Sequence, residues 1–135
     1  MQTTATTREK VKTRGLCHIA IDVGDLERST GFYTDMFDMN IVSRSDRIVH
    51  LQTAGATDSL FLFQADGPVS PRSCGLTRFH FGFNIDDANF DKALEYIKQH
   101  KIKVHPNPHR PPGRYEYIED PDGYIVQLEP GDCGG

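Results

Sequence analysis

The sequence is poor in the features that mark secreted and membrane proteins. It has no tryptophan and only three cysteines among 135 residues, and no two cysteines have CxxC spacing. This odd set indicates no disulfide framework, so we expect free thiols at Cys17, Cys74 and Cys133 and a reducing, cytoplasmic location. No stretch approaches the ~18 apolar residues of a membrane span, and the N-terminal segment has no apolar signal region. We therefore expect no membrane partner.

An excess of positive charge is also lacking. The 15 Lys and Arg residues are outnumbered by 19 Asp and Glu residues, for a formal net charge of −4. Such a chain has no general attraction for nucleic acids or anionic membranes, which leaves small molecules as the expected partners. Its length suits one domain with a moderate core.

What the chain does contain is an internal repeat. The segment HIAIDVGDLERSTGFY, starting at His18, is similar to HFGFNIDDANFDKALEY, starting at His80, 62 residues further on. Each copy has a small residue two places after the histidine, Ala20 in the first and Gly82 in the second. The chain is therefore predicted to be a duplication of one structural unit.

The repeat divides the chain into parts. Residues 1–14 are predicted to be a loose, Thr-rich tail, and 15–135 a single domain. Within the domain, module one spans 15–65, a Gly- and Pro-containing linker spans 66–75, and module two spans 76–130.

Periodicity predicts the elements of each module. Alternating apolar residues indicate opening strands at 16–23 and 79–85, and i, i+3, i+4, i+7 spacing indicates a helix at about 88–99. Asp25 and Asp87 stand at the positions expected of helix N-caps. Further strand-like runs follow each helix, at 40–44, 47–52 and 59–64 and then at 102–105, 114–118 and 124–129.

Three segments in this order resemble one known family. GLCHIAIDVGDLERSTGFYTDMFDM, HFGFNIDD and EYIEDPDGYIVQLEP are similar to hallmark segments of the vicinal-oxygen-chelate superfamily, which includes glyoxalase I, fosfomycin-resistance thiol transferases, extradiol dioxygenases and bleomycin-binding proteins. The resemblance implies an α+β fold in which two βαβββ modules form a curved mixed sheet around a central cleft. A shared fold does not by itself define the function.

The resemblance also implies a metal site. Metal-using members take ligands from positions that here are His18, His80 and Gln127, where the family usually has a carboxylate in place of Gln127. Glu129 lies on the same face of its strand, and we consider it as an alternative third ligand or as a catalytic group. Glyoxalase I adds a glutamate at a position that maps to about Phe61, and a phenyl ring cannot bind metal.

Other residues are candidates for substrate binding or catalysis. Arg110 and Arg114, in a proline-rich loop, could hold a carboxylate or phosphate, or they could be ordinary surface charges. Phe61 and Phe63 could form an apolar wall of the cleft, or plain core. Tyr117 occupies the position that the resemblance gives to an active-site tyrosine of extradiol dioxygenases.

Two functional hypotheses follow. The first is an enzyme that uses one divalent metal ion (Fe, Mn, Ni or Zn) to chelate vicinal oxygens of a small substrate, as a lyase or isomerase or in an extradiol-dioxygenase-like reaction. The alternative is a metal-free protein that binds a drug or metabolite, as bleomycin-resistance proteins do. In either case we expect a homodimer, because the open sheets leave strand edges and apolar surface to be covered.

Overall fold

A computed structural model of the chain describes residues 10–69, 79–108 and 110–131. These ranges leave out residues 1–9 of the predicted tail and residues 70–75 of the predicted linker, which include Cys74. They also leave out His109 and Cys133. The elements are β1 (Ile19–Val23), α1 (Leu26–Phe37), β2 (Met39–Arg44), β3 (Ile48–Thr53), β4 (Leu60–Gln64), β5 (His80–Ile85), α2 (Asp87–Gln99), β6 (Glu116–Glu119) and β7 (Ile125–Pro130).

The strands form two sheets, one from each module. The first has the order β1-β4-β3-β2, with β1 parallel to β4 and the remaining pairs antiparallel. The second has the order β5-β7-β6, again with the opening strand parallel to the last strand. In each module a helix follows the opening strand, so the predicted α+β fold with two βαβββ-like modules is confirmed.

The predicted strand at 102–105 is wrong in extent. Within the described part of the second module, this segment makes only an isolated bridge between Val104 and Ile118. Val104 remains 44% exposed. With one exposed apolar side chain and few partners, the segment gains too little from pairing to form a full strand.

One hydrophobic core joins the two modules. Val23, Leu62, Val126 and Leu128 are fully buried in it, so both sheets contribute one face. The alternation predicted for the first opening strand is confirmed, because Ile21 and Val23 are buried while Ala20 and Asp22 are exposed. In the second opening strand Phe81 and Phe83 are only partly buried. Helix α1 connects the sheets: Phe37 stacks on Phe83 of β5 with ring centroids 4.2 Å apart.

The turn between β6 and β7 fastens the second module to α1. Asp122 accepts hydrogen bonds from the backbone of Gly24 (3.2 Å) and from the side chains of Arg28 (2.9 Å) and Ser29 (3.2 Å). Asp120, only 5% exposed, accepts a 2.7 Å hydrogen bond from the hydroxyl of Tyr33. The DPDG turn therefore holds α1 on the second module through two carboxylates.

The helix N-caps were predicted correctly in only one module. Asp25 caps α1 and accepts a hydrogen bond from the backbone of Arg28 at 3.1 Å. In the second module the cap is Asp86, which accepts from the backbone of Asn89 at 2.9 Å, and Asp87 is the first helical residue. The repeat is offset by one here, because a single residue separates β5 from α2 whereas two separate β1 from α1.

We predict that Asp86→Ala lowers the free energy of unfolding by about 1 kcal/mol, because the first turn of α2 loses its capping acceptor. Asp87→Ala is the matched control, with the same substitution one position later and the loss of only an exposed ion pair with Arg114. Urea denaturation of both variants measures the difference. A larger loss for Asp87→Ala would contradict the cap.

No helix in the three described ranges is both long and apolar enough to cross a membrane.

Candidate metal and substrate site

Each sheet has an open face opposite the core, and the two open faces are equivalent. In the first sheet, Ala20 pairs with Phe61, which pairs with His50 on the next strand. In the second sheet, Gly82 pairs with Gln127, which pairs with Tyr117. The strand register therefore places Phe61 where the second module has Gln127, and His50 where it has Tyr117.

The open face of the first module is aromatic. The His50 ring stacks on Phe61 with centroids 4.3 Å apart, and His18 meets the same ring edge-on at 5.2 Å. Phe63 continues the surface and is 36% exposed, more than a core residue would be. Phe61 and Phe63 therefore form a wall on the open face and are not part of the core.

His18 lies just before β1, and its contacts leave one ring nitrogen available. Its Nδ1 is 3.0 Å from Sγ of Cys17. Which nitrogen of a histidine binds metal is set by the hydrogen bond that the other nitrogen makes, so this contact leaves Nε2 for a ligand. Among the described residues, His18 contacts Cys17 and Phe61, which both belong to the first module.

The open face of the second module is polar. His80 meets the ring of Tyr117 edge-on, with centroids 6.3 Å apart, and Gln127 lies on β7 beside Glu129. Gly82 lets β5 approach this part of β7, because a Cβ atom on Gly82 would lie 2.7 Å from the backbone oxygen of Gln127. In the second module, the close approach of the two strands therefore explains why the repeat has a small residue at this position.

A hydrogen-bond network fastens the proline-rich loop to this face. Arg110 donates two hydrogen bonds to Glu129, of 2.8 and 2.9 Å, and a third to the hydroxyl of Tyr117 at 3.0 Å. Its guanidinium lies over the ring of Tyr115, 3.7 Å from the centroid. The hydrogen bonds from Arg110 lower the pKa of Glu129, against the opposing effect of burial.

Tyr117 is 5% exposed and accepts hydrogen bonds from both Arg110 and Asn107, the latter at 3.3 Å. A hydroxyl has two lone pairs and one proton. With both lone pairs directed at donors, the hydroxyl still has its own proton to donate.

The structure brings together some of the predicted site residues and separates others. His80, Tyr117, Gln127, Glu129 and Arg110 lie together on the second module. Arg114 lies on the other side of the loop, where it pairs with Asp87 and Asp91 at the start of α2. His18, Phe61 and Phe63 lie on the first module.

The implied ligands are chemically suitable for a divalent metal ion, but they lie on two different faces. Two imidazoles and an amide oxygen are suitable donors for Fe, Mn, Ni or Zn. Among the described residues, no three His, Cys, Asp or Glu side chains are placed to hold a metal ion. His80 and Gln127 lie on the open face of the second module, and His18 lies on that of the first.

The sequence did not predict the contacts among Arg110, Gln127 and Glu129. The Arg110–Glu129 pair joins residues 19 apart through a loop whose path the sequence does not show. The spacing of Gln127 and Glu129 did predict that they share a strand face. It did not show that they bond to each other.

Comparison with known proteins identifies the family. The sequence model of the Glyoxalase/Bleomycin resistance protein/Dioxygenase superfamily matches residues 15–128. The chain belongs to this superfamily, as the resemblance of its motifs predicted.

Relatives of the chain include a fosfomycin resistance protein and a metallothiol transferase. The chain is 30% identical to fosfomycin resistance protein FosX of Mesorhizobium japonicum, over 87% of this chain and 86% of that protein. It is 27% identical to metallothiol transferase FosB of Staphylococcus epidermidis, over 84% of this chain and 80% of that protein. A probable chloroplastic lactoylglutathione lyase of Arabidopsis thaliana is 30% identical over 85% of this chain, but the chain spans only 35% of that protein.

Solved structures show the same fold. FosX from Mesorhizobium loti has a TM-score of 0.73 and 28% identity, with 91% of this chain and 96% of that chain covered. FosX from Listeria monocytogenes, solved with Mn(II) and a sulfate ion, has a TM-score of 0.75 and 24% identity, with 90% and 94% covered.

Proposed function

We propose that the protein is a divalent-metal-dependent enzyme that acts on a small substrate with vicinal oxygens. The observation that carries the proposal is the second open face, where His80, Gln127 and Tyr117 lie on neighbouring strands. The relatives add support, because one is a metallothiol transferase and a similar fold holds Mn(II).

The site is proposed to form between two copies of the chain. In the described part of the chain, His18 contacts residues of its own module. The open face of the first module leaves Ile48 37% and Phe63 36% exposed, and contact with a second copy would bury both. We therefore propose a homodimer in which the first-module face of one chain meets the second-module face of its partner.

Each face has a distinct task in this site. His18 from one chain, with His80 and Gln127 from the other, would hold the ion, which supplies Lewis-acid polarisation of the substrate oxygens. Phe61 and Phe63 form the apolar wall for the rest of the substrate. Tyr117 donates a hydrogen bond to a substrate oxygen, and the Arg110–Glu129 pair keeps that hydroxyl in place.

The residues at the acidic positions disfavour a glyoxalase I reaction. Phe61 stands where that enzyme has a glutamate, and the neutral Gln127 cannot take up a proton as a general base. The reactions left open are one in which the substrate would be opened or would add a nucleophile, and an extradiol-dioxygenase-like reaction.

Metal binding tests the proposal directly. The chain, purified without a His tag, is stripped with chelator and titrated with Mn²⁺, Fe²⁺, Ni²⁺ or Zn²⁺ by calorimetry near neutral pH. We expect saturable binding of one ion per chain, retained in His100→Ala. His100 is a suitable control because it stacks on Tyr96 at the end of α2, away from both open faces.

The second candidate is a metal-free small-molecule binder, favoured by the aromatic stack of His50 and Phe61. If none of the four ions binds saturably, the metal-dependent enzyme is excluded and this candidate replaces it. Aromatic ligands should then quench or shift the tyrosine signals of the folded chain without added metal.

A further inference from the structure

Glu129 and Arg110 determine which atom of the Gln127 amide faces the site. Glu129 receives two hydrogen bonds from Arg110, at 2.8 and 2.9 Å, and its Oε1 also receives one from Nε2 of Gln127 at 2.8 Å. An ionised carboxylate can only accept hydrogen bonds. The amide group next to it must therefore be the NH₂ end, whichever way the side chain is drawn.

The consequence lies at the other end of the amide. With Nε2 held by Glu129, the carbonyl oxygen Oε1 points away from Glu129. An oxygen can bind a cation, whereas an amide NH₂ group would repel it. A freely rotating glutamine would present either group to the open face.

The carboxylate itself is held firmly enough for this task. Arg110 lies over the ring of Tyr115 and bonds to Tyr117, which is 5% exposed. The side chain of Glu129 is only 18% exposed. Its two oxygens accept three hydrogen bonds from Arg110 and Gln127, so the carboxylate is engaged with these two neighbours.

We propose that Glu129 and Arg110 are positioning residues that turn the Gln127 oxygen toward the metal and thereby allow a glutamine to replace the family's carboxylate ligand. The inference rests on the proposed metal site. It assigns to Glu129 a role different from both ligand and general base.

A charge-balanced variant tests it. Arg110→Gln with Glu129→Gln removes one positive and one negative charge, so the net charge near the site is unchanged while the orientation of Gln127 is lost. We expect Mn²⁺ affinity, measured by calorimetry, to fall about tenfold, the size typical of losing a group that orients a ligand.

The same pair of changes in a Gln127→Glu background is the matched control. A carboxylate presents an oxygen in either orientation, so we expect less than about a threefold change there. Equal losses in both backgrounds would overturn the proposal, because they would show a general effect on the site or direct ligation by Glu129.

A measurement without metal separates this inference from the proposed function. In the ¹⁵N spectrum of the metal-free protein, Glu129→Gln should shift the side-chain NH₂ resonances of Gln127 and leave those of Gln64 in place. Gln64 is a suitable reference because its amide is held by Leu26 and Gly24 in the first module. An unshifted Gln127 signal would overturn the proposed orientation. If the signal shifts but the wild type does not bind Mn²⁺, only the metal-dependent function is overturned.

Discussion

Mixing His18→Ala chains with His80→Ala chains should restore metal binding that neither variant has alone. Each variant lacks one imidazole of every site, and a remnant of two donors cannot hold a labile divalent ion. When the variants are mixed and the subunits exchange, a heterodimer contains one site with His18 from one chain and His80 from the other. Its second site has neither histidine.

Random pairing of equal amounts makes about half of the dimers mixed, so the mixture should bind about a quarter of the wild-type amount of metal. Calorimetry and elemental analysis of the exchanged sample measure the capacity, and light scattering confirms that both variants are dimers. Native mass spectrometry of one variant labelled with ¹⁵N and mixed with the other, unlabelled variant confirms that the subunits exchange. A mixture of dimeric variants that binds no metal would show that His18 and His80 act within one chain.

Asp120→Ala should lower the free energy of unfolding more than alanine substitution of the exposed aspartates does. One oxygen of Asp120 accepts from the Tyr33 hydroxyl at 2.7 Å, and the other accepts from the backbone of Asp122 and Tyr124, both at 2.9 Å. The substitution leaves these donors buried without an acceptor. A buried, unsatisfied group costs roughly 1–3 kcal/mol, so we expect a total loss of about 3 kcal/mol in the free energy of unfolding.

Asp58→Ala is the matched control for this experiment. Asp58 also accepts two hydrogen bonds, from the backbone and hydroxyl of Thr53, but it is exposed and water can replace it. We expect well under half the loss seen for Asp120→Ala in urea denaturation at neutral pH. Similar losses for the two variants would contradict the role assigned to the buried carboxylate.

The hydrogen-bonded pair of Tyr33 and Asp120 predicts that stability depends on pH. Burial, followed by the negative charge of Asp120, raises the pKa of Tyr33 well above 10.0, so the fold favours the neutral phenol. Its contribution to stability should be complete below pH ~10, where the phenol is also neutral in the unfolded chain, and should be lost as the pH rises toward the folded pKa. Above pH 10, the free energy of unfolding of Tyr33→Phe should fall less steeply with pH than that of the wild type.

Burial also raises the pKa of Asp120, although the hydrogen bond from Tyr33 acts in the opposite direction. The folded state therefore holds the Asp120 proton more tightly than the unfolded state. The contribution of this group to stability should fall as the pH rises through the acid range. The free energy of unfolding of Asp120→Asn should lack this fall with pH in the acid range.

Much of the fold could be read from the sequence because it depends on local patterns. The alternation of Ile21 and Val23, and the helical spacing of Phe90 and Ile97, require only one face of each element to be apolar, and both pairs are buried. The repeat then predicted the same order of elements in the second module, where the strand at 102–105 is reduced to an isolated bridge. Its failure at Asp87 is a difference of one residue in a connection, which periodicity does not register.

The candidate site was only partly readable for a different reason. The sequence by itself determined that His18 and His80 are equivalent and that Gln127 and Glu129 share a strand face, since strand positions repeat every two residues. Only the tertiary structure decided that Arg110 is bonded to Glu129, that Arg114 faces α2, and that the implied ligands lie on two separate faces. These outcomes depend on the path of a loop and on how two sheets pack around one helix, and such long-range contacts leave no periodic trace in the chain.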